Sequence, residues 1–120
     1  MIITGAGNDG YDEDNEIFDV PNTVIDPATA KNVIAVGAQD SWGSSLKSGA
    51  YGPGFVAGFS SRGPAADGRM KPDIMAPNGV NTTVKLNNIP PGQVDGDTYF
   101  NFFGTSAAAP HVAAAAALYM

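Results

Sequence analysis

The last 19 residues of the chain, FFGTSAAAPHVAAAAALYM from Phe102 to Met120, constrain the fold more than any other segment. A turn of Gly, Thr and Ser opens a run of Ala, Val and Leu that would be apolar on every face of an α-helix. Such a helix is stable only when other elements cover it on all sides. The apolar run after Pro110 has about half of the roughly 20 residues that a membrane span needs. We therefore predict a core helix that begins near Ser106.

Several shorter segments have the composition of β-strands. MIIT is interpreted as the end of a buried strand that leads into a glycine-rich turn, and NVIAVGA as a strand covered on both faces, because its run of β-branched residues is continuous. Strands, glycine-rich turns and a wholly apolar helix together indicate an α/β layer fold. Residues 11–22 are acidic and irregular, and residues 43–54 have loop composition. Further candidate strands are FVAGFSS (55–61), DIMAP (73–77), NTTVKL (81–86) and TYFNFF (98–103).

Composition and charge exclude several classes of function. The 120 residues include 6 Lys and Arg, 12 Asp and Glu and no Cys, with a formal net charge of -6. A chain of this length forms at most one domain. Nucleic-acid binding is not expected, because it depends on clustered cations. The absence of Cys excludes disulfides and thiolate metal sites. No signal peptide is visible at the N-terminus, and no membrane partner is expected.

Ser106, considered with its neighbours alone, has two interpretations. Gly104 permits a sharp turn, and Thr105 or Ser106 could accept hydrogen bonds from the unpaired N–H groups of the first helical turn, as an ordinary helix cap does. Alternatively, the small neighbours of Ser106 leave room for a substrate carbonyl, and the positive end of the helix favours a developing oxyanion. Spacing alone favours the cap and leaves the nucleophile open.

The residues taken together resemble a known family. GTSAAAPHVAAAAAL, residues 104–118, is similar to the nucleophile motif of subtilisin-like serine proteases, with Ala114 where the family usually has Gly. The resemblance implies that Ser106 is the nucleophile. ITGAGNDG, residues 3–10, resembles the strand and turn whose Asn side chain donates to the oxyanion, which assigns that role to Asn8. It also implies that one side of the specificity pocket is lined by Gly5, Ala6 and Gly7.

Two more blocks extend the resemblance over nearly the whole chain. TVIDPATAKNVIAVGAQD, residues 23–40, is similar to the segment that walls the specificity pocket, and it predicts a cis bond before Pro27. FSSRGPAADGRMKPDIMAPN, residues 59–78, resembles a structural block of the family, with Asn78 where Gly is usual. The implied fold is α/β, a subtilisin-like three-layer fold with a mostly parallel sheet, incomplete in this chain.

The family's other two triad motifs are absent. Neither D-[ST]-G nor H-G-T-H occurs in the sequence. Residues 1–120 are therefore expected to be the C-terminal portion of a catalytic domain, with the missing N-terminal part as its partner. His111 lies five residues after Ser106, a rotation of about 140° on a helix, so we expect a buried, hydrogen-bonded structural role for it. Asp73 is interpreted as structural, because an orienting acid needs a base to orient.

The resemblance implies a serine endopeptidase that acts on polypeptides and is exported, with no cofactor. The chain alone, which lacks the triad Asp and His, is expected to be inactive, and a non-catalytic folding fragment or interaction module is the alternative. An α/β-hydrolase esterase is disfavoured because its G-x-S-x-G motif needs Gly at Ala108. A solvated loop is favoured over a calcium site for the acidic cluster, although structural calcium stays open by resemblance. The cluster comprises Asp9, Asp12, Glu13, Asp14 and Glu16.

Overall fold

The computed structural model describes residues 1–41, 54–85 and 99–120. Within these ranges the chain forms short strands followed by one long helix. In chain order the elements are β1 (Ile2–Gly5), β2 (Tyr11–Asp12), β3 (Ile17–Phe18), β4 (Val33–Gln39), β5 (Ile74–Pro77), β6 (Val80–Lys85), β7 (Tyr99–Phe102) and α1 (Thr105–Tyr119).

A parallel three-stranded sheet contains β1, β4 and β5. Its strand order is β1-β4-β5, with Ile2 opposite Val33 and Val36 opposite Ile74. The central strand β4 is buried along most of its length, as its continuous apolar sequence predicts. Helix α1 packs against this sheet around Val36, Ala76 and Ala108. The prediction of an α/β fold with a mostly parallel sheet is confirmed.

Two antiparallel hairpins flank the parallel sheet, β2 with β3 and β6 with β7. The first was not predicted, because residues 11–22 have no alternating pattern. It depends on side chains: the rings of Tyr11 and Phe18 stack with centroids 4.4 Å apart. The Asp12 carboxylate accepts hydrogen bonds from the backbone N–H groups of Asp14 and Asn15 in the connecting turn. The segment is therefore ordered by local contacts that hydropathy does not reveal.

The prediction of a strand at residues 55–61 is wrong. Val56 forms only an isolated bridge to Gln39, and the chain then turns, with the Ser60 N–H donating to the Ala57 carbonyl at 2.9 Å. The Ser60 side chain, fully buried, accepts from the Ala38 N–H at 3.0 Å. Ala57 and Ser60 of this segment are therefore buried against β4, whereas Phe55 is 59% exposed.

An ion pair between the buried Lys71 and the exposed Asp73 joins the loop before β5 to the start of β4. The Lys71 ammonium donates to the Val33 carbonyl at 2.8 Å and to the Asp73 carboxylate at 2.6 Å. Asp73 also accepts from the Ala35 N–H at 2.8 Å. Burial raises the pKa of Asp73, but the hydrogen bonds from Lys71 and Ala35 outweigh it and hold the pKa below its ordinary value. These contacts support the structural interpretation of Asp73.

Helix α1 has fully buried residues only in its first turn, and Ala109 and Val112 are partly buried against the same core. Thr105, Ala107 and Ala108 are buried, whereas Leu118 is 89% exposed. The helix predicted to lie in the core thus has buried residues in its first turn, whereas the side chains at its C-terminal end are exposed to solvent. No helix in the described ranges is long and apolar enough to span a membrane.

Candidate active site

Ser106 lies in the first turn of α1, and it does not cap the helix. The cap residue is Gly104, whose φ of 101° is in the region that favours glycine and which has no side chain to form a capping hydrogen bond. The Ala107 N–H donates to the Gly104 carbonyl at 3.0 Å. Ser106 is exposed while the neighbouring Thr105 is buried. The interpretation of Ser106 as an ordinary helix cap is therefore wrong.

Asn8 is held against the start of α1 by two hydrogen bonds. Its side-chain Oδ1 accepts from the Thr105 N–H at 3.0 Å and from the Thr105 hydroxyl at 3.2 Å. Because both donors engage the oxygen, the carboxamide orientation is fixed, and Nδ2 is left as the donor on the other side of the group. Thr105 thus links the Asn8 amide to the residue that immediately precedes Ser106.

The close approach of β1 and α1 requires glycine on the strand side. A Cβ on Gly5 would lie 2.8 Å from the Thr105 hydroxyl oxygen, closer than packed atoms tolerate. Gly7, with φ of 113°, donates its N–H to the same hydroxyl at 3.2 Å. Ala6 between them is fully buried, donates to the Val36 carbonyl at 2.8 Å and accepts from the Ile25 N–H. The three residues therefore hold the turn in contact with the helix.

A cleft of about 440 Å³ opens beside Ser106 and Asn8. Of the three residues predicted to line the specificity pocket, Gly5 and Gly7 line this cleft, whereas the fully buried Ala6 does not. The bond between Asp26 and Pro27 in the cleft wall is cis, as predicted. The cleft is lined by Thr4, Gly5, Gly7, Asn8, Asp9, Ile25, Asp26, Pro27, Thr105 and Ser106.

Two positioning residues were missed by sequence reasoning, Thr105 and Ser61. The Ser61 hydroxyl accepts from the Asp9 N–H at 3.0 Å, and its own N–H donates to the Gly7 carbonyl at 3.0 Å. Ser61 is 1% exposed, so these bonds are protected from water. The motif block that contains Ser61 was the available sequence signal for its importance, but nothing in the spacing of residues predicts its contact with Asp9, 52 residues away.

One ring nitrogen of His111 is hydrogen-bonded within α1 and so is not available to accept a proton from Ser106. Its Nδ1 donates to the Ala107 carbonyl at 2.8 Å, one turn back along α1. The predicted hydrogen bond is therefore confirmed, whereas the prediction of burial is wrong, because His111 is exposed. A second hollow of about 280 Å³ lies between α1 and the β6–β7 hairpin, and both Ser106 and His111 border it.

The acidic cluster is organised as a turn. Beyond the backbone bonds to its carboxylate, Asp12 accepts from the Asn15 side-chain amide at 2.8 Å. This hydrogen bond from the Asn15 side chain is the main reason why the pKa of Asp12 is lowered. Within residues 1–41, 54–85 and 99–120, no three His, Cys, Asp or Glu side chains are grouped as metal ligands. Both carboxylate oxygens of Asp12 thus accept hydrogen bonds from its own hairpin turn.

An exposed serine at a helix start, beside an oriented amide and an open cleft, directs a hydroxyl and a hydrogen-bond donor toward the same space. The chain belongs to the subtilase family, the peptidase S8 serine proteases, whose family model matches residues 1–120. It is 37% identical over 125 residues to Uncharacterized protein aq_aa18 of Aquifex aeolicus (strain VF5), covering 99% of this chain and 56% of that protein. It is 36% identical over 126 residues to Serine protease AprX of Bacillus subtilis (strain 168), covering 98% and 25% respectively.

Proposed function

We propose that this chain contributes the nucleophile and the oxyanion site of a serine endopeptidase. The observation that carries the proposal is the pair of hydrogen bonds from Thr105 to the Oδ1 of Asn8, at 3.0 and 3.2 Å. They orient the Asn8 amide beside the cleft that Ser106 also lines. An amide donor fixed before the reaction stabilises developing charge without reorganisation, which is the largest single contribution in many enzymes of this kind.

In the proposed reaction the Ser106 hydroxyl oxygen attacks a peptide carbonyl and its proton passes to a histidine base. The carbonyl oxygen becomes an oxyanion that accepts from Asn8 Nδ2 and from the Ser106 backbone N–H. The C–N bond then breaks, the amine leaves with the proton returned by the base, and water hydrolyses the ester on Ser106. The positive end of α1 adds favourable potential at the oxyanion.

The base and its orienting acid are proposed to lie outside the 120 residues. His111, the single histidine of the sequence, has its Nδ1 bonded to its own helix. The chain spans 56% and 25% of the lengths of the two curated relatives. From the resemblance of its motifs to the subtilase family, residues 1–120 are proposed to form the C-terminal portion of a catalytic domain, in a protein that is exported and cleaves polypeptides.

The isolated chain is expected to be inactive, because a serine without its base is a poor nucleophile at neutral pH. Peptide hydrolysis and labelling by a fluorophosphonate measure this directly. Addition in trans of a segment that carries the family's D-[ST]-G and H-G-T-H motifs should restore both. Labelling of Ser106 in the isolated chain at the rate of an active serine hydrolase would contradict the proposal.

In the intact protease, Ser106→Ala should abolish turnover and labelling. Asn8→Ala should lower kcat by about 10²–10³ with little change in KM, because the donor acts on the transition state. Asn32→Ala is the matched control, since Asn32 is exposed and lies before β4, away from the cleft. If kcat of Asn8→Ala equals kcat of the Asn32→Ala control, the proposed oxyanion role of Asn8 is wrong.

A non-catalytic interaction module is the second candidate, favoured by the open apolar surface of α1, where Leu118 is 89% exposed. It differs from the protease in a measurable way. A module would retain its partner binding in Ser106→Ala and show no hydrolysis in any assembly. Hydrolysis that depends on Ser106 in the intact protein would exclude it.

A further inference from the structure

The cleft beside Ser106 combines apolar walls with an acidic rim. Ile25 and Pro27 give it apolar surface, and Ile25 is 47% exposed. Asp9 and Asp26 are the titratable side chains that line it, and both are exposed. A long basic side chain fits this pattern, because lysine and arginine place an aliphatic stem on apolar surface and a charged head in a polar rim.

The two carboxylates are positioned by contacts that leave them able to bind a cation. One oxygen of Asp26 accepts from the Thr29 hydroxyl, which holds the side chain at the cleft. The backbone of Asp9 is anchored by the hydrogen bond from its N–H to the buried hydroxyl of Ser61 at 3.0 Å. The ion pairs in the described parts of the chain use other acids: Asp19, Asp67 and Asp73.

The position of the cleft decides which substrate residue enters it. Ser106 and Asn8, the proposed nucleophile and oxyanion donor, both line it, so the attacked carbonyl lies at its edge. Gly5 and Gly7 contribute only backbone atoms to its lining. The side chain of the residue that supplies this carbonyl is therefore the nearest candidate to fill the cleft. A carboxylate in such a pocket selects a basic side chain in proteases of another fold.

We infer that the cleft selects a lysine or arginine side chain on the residue that supplies the attacked carbonyl, through Asp9 and Asp26. This inference rests on the proposed protease function. Each exposed carboxylate is expected to contribute a two- to fivefold preference, roughly the strength of an exposed ion pair. Together they give about a tenfold preference for a basic over a neutral side chain of similar length.

The test uses the intact protease and peptide substrates that differ only in the residue before the cleaved bond: lysine, norleucine or glutamate. The expected order of kcat/KM is lysine, norleucine, glutamate. Asp26→Asn and Asp9→Asn should each lower the ratio of lysine to norleucine two- to fivefold, and the double variant should bring it close to one. Glu13→Gln, which removes the same charge from an exposed residue outside the cleft lining, should leave the ratio unchanged. The ratio in the unaltered protease should also fall in 1 M salt, where the Debye length shrinks to about 3 Å.

The outcomes separate the two proposals. If Ser106-dependent cleavage occurs with a lysine to norleucine ratio of one or less, the selectivity inference is wrong and the protease proposal stands. An unchanged ratio in the double Asp variant, or an equal fall in Glu13→Gln, would also overturn the inference. If no substrate is cleaved, or if Ser106→Ala retains full activity, the protease proposal fails and the inference fails with it.

Discussion

Thr105→Val is the substitution that best tests how the proposed oxyanion site is held. Valine has nearly the shape of threonine and replaces the hydroxyl with a methyl group, which neither donates nor accepts a hydrogen bond. That hydroxyl, in a residue 2% exposed, donates to Asn8 Oδ1 and accepts from the Gly7 N–H, both at 3.2 Å. Asn8 Oδ1 would keep its other bond, from the Thr105 backbone N–H at 3.0 Å. The amide would therefore be held by one bond where two now act.

The expected loss is smaller than that of removing the amide itself. One neutral hydrogen bond contributes about 0.5–1.5 kcal/mol, so the looser amide should lower kcat about three- to tenfold. Loss of the donor in Asn8→Ala should cost about 10²–10³. The buried Gly7 N–H would lose its partner, which should lower the free energy of unfolding by about 1–3 kcal/mol. Thr105→Ser keeps the hydroxyl and should stay near the unaltered turnover.

The assay is steady-state hydrolysis by the intact protease, with thermal unfolding measured on the same samples. A double-mutant cycle of Thr105→Val with Asn8→Ala separates the two effects, because the hydroxyl can influence kcat only through an amide that is present. The double variant should therefore be no slower than Asn8→Ala. Full additivity of the two losses, or an unchanged kcat in Thr105→Val, would refute the positioning role of Thr105.

Three further outcomes follow from the packing. Lys71→Met should lower the free energy of unfolding by about 2 kcal/mol, less than for a fully buried pair because Asp73 is 40% exposed. Because the pKa of Asp73 is depressed in the folded state, the stability that its ionised form provides is present above the ordinary pKa of 3.8 and is lost as the pH falls further. The difference in unfolding free energy between the unaltered chain and Lys71→Met should therefore be smaller at pH 2.5 than at pH 7, as measured by urea titration. Gly10→Ala should lower the free energy of unfolding by more than about 3 kcal/mol, because its Cβ would lie 2.2 Å from the Ser60 carbonyl oxygen. Gly68→Ala, which has open space around it and a φ of 82°, should lower it by only about 1–2 kcal/mol. Equal losses in the two variants would contradict the predicted clash at Gly10. The isolated 120 residues should self-associate in sedimentation or show fast amide exchange along α1, and a compact monomer with slow exchange there would contradict this.

The elements that sequence could predict are those with a strong local signal. Strand β4 was expected at residues 32–38 and spans Val33–Gln39, and the helix expected near Ser106 begins at Thr105. A continuous β-branched run and a long Ala-rich run each have one favoured structure. The β2–β3 hairpin was missed because two-residue strands have no periodicity and depend on the contact between Tyr11 and Phe18.

The candidate site required more than local signals. Asn8 and Thr105 are 97 residues apart in sequence, and their contact depends on β1 and α1 packing together. Spacing alone favoured a helix cap for Ser106, and only the long family motif indicated a nucleophile. The acidic rim of the cleft was also hidden, because Asp9 and Asp26 lie in separate segments of the sequence and meet only at the cleft. Tertiary pairing of this kind leaves no period in the sequence.

The exposure of Ser106 follows from the burial of its neighbours. Successive helical residues rotate by about 100°, so the buried Thr105, Ala107 and Ala108 occupy an arc whose centre lies about 180° from Ser106. Packing that arc against the sheet therefore directs Ser106 away from it, to the edge of the cleft. A rotation of the helix by one residue would turn the serine toward the sheet. The absence of a side chain at Gly5 permits the close contact with Thr105, so strand β1, which leads into the turn that contains Asn8, also sets the direction of Ser106. The proposed nucleophile, Ser106, and the proposed oxyanion donor, Asn8, are thus oriented by the same contact between β1 and α1.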